Sequence, residues 1–224
     1  GHHRYETALA FSKHLREQGI VSGEKGEAPS DYVCMMLVNM ENDGLVVWPT
    51  HRIVRDLDNF NIDDVLNNEE ILRNFDITKV DTLEQTKGML EDNYNNEYKS
   101  YGLYTGSNYY VLTLRDKSVM KALFPDASDA YCELDVSILH SLILERAFGI
   151  DKENMANQIN LTYTRSEDEA IAEVEGGRAN CCFLLNPTRV SEISAVAAAG
   201  EKMPQKSTYF YPKLITGLVM NKFL

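Results

Sequence analysis

Apolar and polar positions alternate along the chain with two periods, one near 3.6 residues and one of 2. At the start, Tyr5, Ala8, Leu9 and Leu15 recur at helical spacing, with Arg4, Glu6, Lys13, Arg16 and Glu17 off that stripe. This predicts a helix over 4–18, ended by Gly19. Residues 32–40 form an apolar run of β character. Asp43-Gly44 is a hairpin-type turn, and residues 45–48 resume the strand, so a β-hairpin is expected. It leads into Pro49-Thr50-His51-Arg52-Ile53-Val54.

Helical periodicity returns over 63–75, through Val65, Leu66, Ile71 and Leu72. A short strand over 77–80, a helix over 82–92 and a polar loop over 93–98 follow. Residues 101–104 and 109–114 read as paired strands. Gly102 and Gly106 lack the spacing and the lysine of a phosphate-binding P-loop. A short helix over 117–124 stops at Pro125, and a subdomain seam is expected near 125–130. Residues 135–148 are strongly helical, with Val136, Leu139, Ile143 and Ala147 on one face and His140 beside it. A strand over 159–163 precedes a helix opened in capping-box style by Ser166-Glu167-Asp168-Glu169 and closed by Gly176-Gly177. Residues 180–185 suit a buried strand. Pro187-Thr188 opens another helix, with Thr188 as its expected cap, ending at Gly200. Strands over 208–211 and 215–220 close the chain. The fold class is α+β, a mixed sheet flanked by helices, with α/β character in the second half.

Composition narrows the possibilities. In 224 residues, 34 acidic against 22 basic side chains give a net charge of −12. Such a field repels a phosphate backbone unless basic groups cluster, so a nucleic-acid role is not expected of this chain. Apolar runs are too short for a membrane span, and a cytoplasmic location is expected. Cys34, Cys132, Cys181 and Cys182 have no C-x-x-C spacing. They read as buried, reduced thiols, and no His/Cys set has zinc spacing.

Three stretches carry candidate chemistry. His2, His3 and Arg4 stand at a predicted helix N-terminus, where free N–H groups and a positive dipole favour anions. Read alone, Gly1-His2-His3 is equally a tag remnant or an exposed loop. His51 and Arg52 follow a strand end, where a ligand or a surface acid could meet them. Lys206, Ser207, Thr208 and Tyr209 lie between Pro204 and Pro212. A cation beside hydroxyls and free N–H groups suits phosphate or carboxylate; the alternative is a polar turn entering an aromatic strand. His140 is either a core histidine or a catalytic one.

The segment Gly1-His2-His3-Arg4-Tyr5-Glu6-Thr7-Ala8-Leu9 resembles the Gly-His-His-Arg box of ParB/sulfiredoxin-like proteins. The segment 203–214 is similar to the signature of an uncharacterised bacterial domain-of-unknown-function family, the ten-fifteen family, as are Leu134-Asp135-Val136 with Leu139-His140, and 185–190. The resemblance spans essentially the whole chain. It implies that the chain is the C-terminal half of a larger ParB-like protein. In that protein a strand and an acidic residue, catalytic in some superfamily members, precede Gly1; here that acid is absent.

Some members of that superfamily are free-serine kinases. The resemblance therefore implies phosphoryl transfer between a nucleotide and a small hydroxy compound, serine or phosphoserine being the best guess. ATP or ADP with Mg²⁺ would be the cofactor, and the N-terminal half a partner. His2, His3, Arg4, His51, Arg52, Lys206, Ser207, Thr208 and Tyr209 would bind phosphate or substrate. His3 and His140 are the candidate catalytic groups, and no metal ligand is assigned. This chain alone would be inactive. The helix start and residues 206–209 are expected to share one cleft bordered by 49–52. A nucleotide-binding regulatory module and a purely structural or interaction domain are the alternatives.

Overall fold

The computed structural model describes residues 2–42, 44–213, 217 and 220. By internal contacts the chain divides into one unit of Gly1–Val46 with Pro212–Leu224, and a second of Val47–Tyr211. The segment near 125–130 lies inside the second unit.

In the first unit, α1 spans His2–Glu17. Gly19 ends it at φ 68°. Ile20 N–H donates to the Leu15 carbonyl and Gly19 N–H to that of Arg16, both at 3.0 Å, the Schellman arrangement of a helix end. The apolar stripe is not its buried face. Tyr5 and Leu9 are about half exposed, and only Ser12 and Leu15 are buried. The polar centre of this unit is Asp31, whose carboxylate accepts from Ser12 Oγ at 2.6 Å, from Gly26 N–H at 2.9 Å and from Ala28 N–H at 3.1 Å. Arg16 pairs with it at 2.5 Å. The Ser12 bond is the largest influence holding its carboxyl at a pKa of about 2.

The expected hairpin over 32–48 does not form. Residues 32–39 have no regular structure, and Leu37 is 90% exposed. Its intended second arm, β1 (Val46–Trp48), pairs instead with β8 (Tyr209–Tyr211). Trp48 stacks on Tyr211 at 4.3 Å between ring centroids. The apolar pattern of 32–40 therefore lost its strand partner to a segment far along the chain. Asp43 of the expected turn, and most of 215–220, lie outside the described residues.

The second unit is built on a six-stranded sheet. Its strands are β2 (His51–Val54), β3 (Phe75–Val80), β4 (Ser100–Tyr104), β5 (Tyr109–Leu114), β6 (Leu161–Thr164) and β7 (Cys181–Leu184). Their spatial order is β3-β5-β4-β7-β2-β6. Every ladder is antiparallel, so the α+β class holds while the sheet is not mixed. Because side chains alternate across a strand, each strand feeds two cores.

On one face pack α2 (Ile62–Leu66), α3 (Glu69–Asn74), α5 (Ser118–Leu123), α6 (Asp129–Cys132), α7 (Asp135–Ile138) and α8 (Lys152–Asn157), around Val54, Tyr101, Leu112 and Phe183. The helix expected over 63–75 is two short ones, because Asn68 caps the second through Glu70 N–H. On the other face lie α4 (Leu83–Asn95) and α9 (Glu167–Glu175), around Ile53, Val111 and Leu184. Gly102 allows α4 to approach β4: a Cβ there would stand 2.7 Å from Thr86 Cγ2.

The helix expected over 135–148 begins as α7 but widens into a π-helix over Leu139–Glu145. Nearly every residue of 134–144 is buried, so its pattern is not amphipathic. Next, α10 spans Val190–Ala198 with Arg189 at its N-cap; Thr188 instead donates to the Ser207 carbonyl at 2.9 Å. Cys132, Cys181 and Cys182 are buried, whereas Cys34 is exposed. No helix among the described residues is long and apolar enough to cross a membrane.

Candidate functional site

Strand β2 lies between β6 and β7, and with a core packed on each face of the sheet all four of its residues are buried. His51 and Arg52 are adjacent and therefore point to opposite faces. His51 shares the face of Ile53, and Arg52 that of Val54. The expected His51–Arg52 pair cannot grip one ligand, and the reason is the two-residue period of a strand.

His51 is 1% exposed. Its Nδ1 accepts from Leu185 N–H at 3.2 Å, which puts the proton on Nε2. Burial lowers its pKa to about 4.

Arg52 has no exposed surface at all. Burial lowers its pKa to about 10, so it remains a cation at neutral pH. Buried cations are normally paired, yet among the described residues no carboxylate pairs with Arg52. Its guanidinium is held by weaker acceptors. Nη1 donates to the Thr50 carbonyl. Nη2 donates to the Lys206 carbonyl at 3.1 Å and lies 3.4 Å from His140 Nε2. Tyr163, opposite Arg52 on β6, places its ring 5.4 Å from the guanidinium carbon. Arg52 Nε has no partner among the described residues.

His140 sits in the first turn of the π-helix, a rare geometry that recurs at functional sites. Burial, then the Arg52 charge, lower its pKa to about 3. It is a neutral acceptor toward Arg52, which has no acceptor of its own.

Beyond His140 and Tyr163 opens a cleft of about 190 Å³, lined also by Ser137, Lys152, Pro204 and Gln205. Tyr163 Oη and Ser137 Oγ have no hydrogen-bond partner among the described residues. Pro204 and Gln205 on its wall belong to a turn over 204–207, closed by Ser207 N–H to the Pro204 carbonyl at 3.3 Å. Lys206 takes its left-handed position at φ 56°, where glycine or asparagine is usual. That conformation aims the Lys206 carbonyl at Arg52 while the side chain stays exposed.

The structure thus brings together Arg52, His140, Lys206 and Ser207. Thr208 is half-buried, and Tyr209 lies on β8 with the Arg165 guanidinium 4.1 Å from its ring. His2, His3 and Arg4 form the first turn of α1 in the other unit, with the two imidazoles 4.1 Å apart. Tyr163, which completes the Arg52 cage, carried no sequence signal beyond a strand assignment.

A second buried charge cluster escaped the sequence reading. Lys99 Nζ lies 3.2 Å from Asp135 Oδ1 and 2.8 Å from Glu192 Oε1. Burial pushes the Asp135 carboxyl up to about 6, although Lys99 pulls the other way. Tyr101 Oη donates to the Asp135 carbonyl at 2.8 Å. Arg189 covers the Tyr94 ring at 4.0 Å. Asp135 and Glu192 are converging carboxylates, but the Lys99 ammonium already fills the cation position between them. No group of three or more His, Cys, Asp or Glu side chains among the described residues is arranged to hold a metal ion.

A family model described as "Protein of unknown function (DUF1015)" matches residues 1–137. No curated protein matches. Two solved structures resemble the chain distantly. One is a conserved hypothetical protein from Pyrococcus furiosus, at TM-score 0.43 and 12% identity, with 78% of this chain and 60% of that one covered. The other is a mutant free serine kinase in complex with AMP, at TM-score 0.44 and 11% identity, with 78% and 57% covered. The chain thus spans less than two thirds of either structure's length.

Proposed function

Since the chain belongs to the DUF1015 family of proteins of unknown function, we propose its role from the chemistry of its own residues. The cleft at Arg52 holds an anionic oxygen group of a small hydroxy compound, in an enzyme that moves a phosphoryl group between that compound and a nucleotide. The observation that supports this most is the buried Arg52 guanidinium, which has no carboxylate partner among the described residues and an unused Nε donor. Arg52 stands behind His140 and Tyr163, which line the small cleft, and a preorganised cation is what binding an oxyanion requires.

The cleft volume of about 190 Å³ is below the roughly 300–1,000 Å³ of pockets for larger ligands. It suits the hydroxy compound, serine or phosphoserine being the first to test, and not the nucleotide. ATP or ADP, and the larger ParB-like protein of which this chain would be the C-terminal part, enter through the resemblance of the Gly-His-His-Arg box. Under this reading the Lys206 ammonium contacts phosphate, while His2, His3 and Arg4, in the other unit, carry only the phosphate role that the Gly-His-His-Arg resemblance implies. His140 positions Arg52, because a neutral imidazole of such low basicity is a poor proton acceptor at neutral pH. The Asp135–Glu192 pair does not fit Mg²⁺, since Lys99 spans it, and no step is routed through a metal.

The test is transfer of labelled phosphate between ATP and serine, and between phosphoserine and ADP, by the full-length protein. Arg52→Met, Arg4→Ala and Lys206→Ala should each lower kcat/KM by about 2–4 kcal/mol of transition-state stabilisation, with melting temperatures unchanged. Undiminished turnover in folded variants would end the assignment.

A further inference from the structure

The guanidinium of Arg52 is only half used. In any arginine the Nε–H and the nearer Nη2–H point the same way and form a two-pronged fork. Here Nη2 donates to the Lys206 carbonyl at 3.1 Å, and Nε has no partner among the described residues. A carbonyl offers one oxygen and fills one prong; a carboxylate offers two and fills both. The carbonyl is delivered by a non-glycine residue at φ 56°, a conformation unfavourable for a side chain with a Cβ. Arg52 lies behind the cleft rather than on its wall; Tyr163, whose ring stands 5.4 Å from the guanidinium carbon, and Ser137 line it, and their hydroxyls are likewise without partners among the described residues.

We propose that the Arg52 fork is a carboxylate site, and that the turn over 204–207 is a plug whose Lys206 carbonyl stands where one carboxylate oxygen binds. A ligand carboxylate takes Nε and Nη2 together, the Lys206 carbonyl withdraws, and the left-handed strain is released. The ligand class is a small monocarboxylate. The charge balance favours this over phosphate. Arg52 supplies one buried positive charge, and His140 stays neutral because burial and Arg52 hold its pKa at about 3. On the cleft wall Lys152 is offset by Glu145. A phosphate dianion would leave one negative charge uncompensated in a buried place. The inference rests on the phosphotransferase reading only for the idea that the carboxylate belongs to a small hydroxy acid.

The test measures binding alone, on the full chain, by calorimetry with lactate and glycerate, and with inorganic phosphate as the contrast. Carboxylate binding should require Arg52, whereas any phosphate held at the Lys206 ammonium should not. Arg52→Lys keeps the charge and loses the fork, so carboxylate affinity should fall at least roughly tenfold. Lys206→Ala and Lys206→Gly both remove the ammonium, but only glycine accepts the left-handed turn without strain. The glycine variant should hold the plug in place and bind carboxylates roughly fivefold more weakly than the alanine variant. Phosphate binding at Arg52 in preference to carboxylates, seen as phosphate affinity lost in Arg52→Lys, or equal affinities in the two Lys206 variants, would overturn the proposal. Carboxylate binding without phosphoryl transfer to any hydroxy acid would instead retire the enzyme assignment and leave the site standing.

Discussion

Lys99, largely buried, and Arg52, fully buried, are cations of the second unit, and the fold treats them oppositely. Lys99 lies between two carboxylates, with its ammonium 2.8 Å from Glu192 and 3.2 Å from Asp135. Among the described residues Arg52 meets a backbone carbonyl at each amino group, a neutral imidazole and the face of Tyr163, and no carboxylate. Placing a charge in a low-dielectric interior is costly, and partners are what make it tolerable. Lys99 is therefore complete as it stands, and removing it strands two carboxylates. Arg52 has no such counter-charge among the described residues, and the proposed ligand carboxylate would supply one. Burial alone does not mark a functional cation; burial without a counter-charge does.

The comparison breaks most visibly at Lys99. Lys99→Met should destabilise the fold by about 3–5 kcal/mol, the cost of leaving buried charge unpaired, measured by denaturant unfolding. Leu139→Ala gives the apolar yardstick: Leu139 is fully buried, and its truncation should cost roughly 2–5 kcal/mol.

Acid titration sharpens the contrast at intermediate magnitude. His51 and His140 have folded pKa values near 4 and 3 against 6.5 unfolded. Below pH 6.5 the unfolded chain binds protons that the folded chain does not, so stability falls as pH drops. Each histidine contributes at most about 1.4 kcal/mol per pH unit. Asp135, raised from 3.8 to about 6, works in the opposite sense, losing stability as pH rises between those values. In melting profiles His140→Gln should flatten the acid-side loss, and Asp135→Asn should steepen it. Unchanged slopes would mean these groups are not buried as described.

The smallest expected effect is the most diagnostic. Arg52→Met removes a cation that has no carboxylate partner among the described residues, so the melting temperature should hold or rise, because an apolar side chain of similar volume avoids the desolvation cost. Ligand-induced stabilisation should vanish in the same variant. A fall as large as that of Lys99→Met would make Arg52 a structural residue.

Much of this fold is legible in the sequence, and the exceptions have physical causes. The strands over 101–104 and 109–114 and the cap at Ser166 follow from local pattern and turn chemistry, which need no distant partner. The arm over 32–40 fails because its apolar pattern says strand without saying which strand. In 135–148 the helix is legible, but burial on all sides erases the periodicity that would reveal its widening at Leu139. His51-Arg52 illustrates a site half read. Their chemistry is visible in sequence, and so is the two-residue alternation that separates them once both lie in a strand. The lack of a carboxylate at Arg52 is a fact about Thr50, His140, Tyr163 and Lys206 taken together, and no single segment contains it.

The cysteines turn this architecture into a measurable clock. Cys34 alone is exposed, and Cys132, Cys181 and Cys182 are enclosed in the second unit. Burial also raises the pKa of those three thiols, which suppresses the reactive thiolate. A thiol reagent added to the native protein should therefore consume one equivalent at once and the other three only as the second unit opens. Cys34 becomes a single address for a spectroscopic label, and the slow remainder counts openings of that unit, Cys181 and Cys182 reporting on β7 and Cys132 on α6.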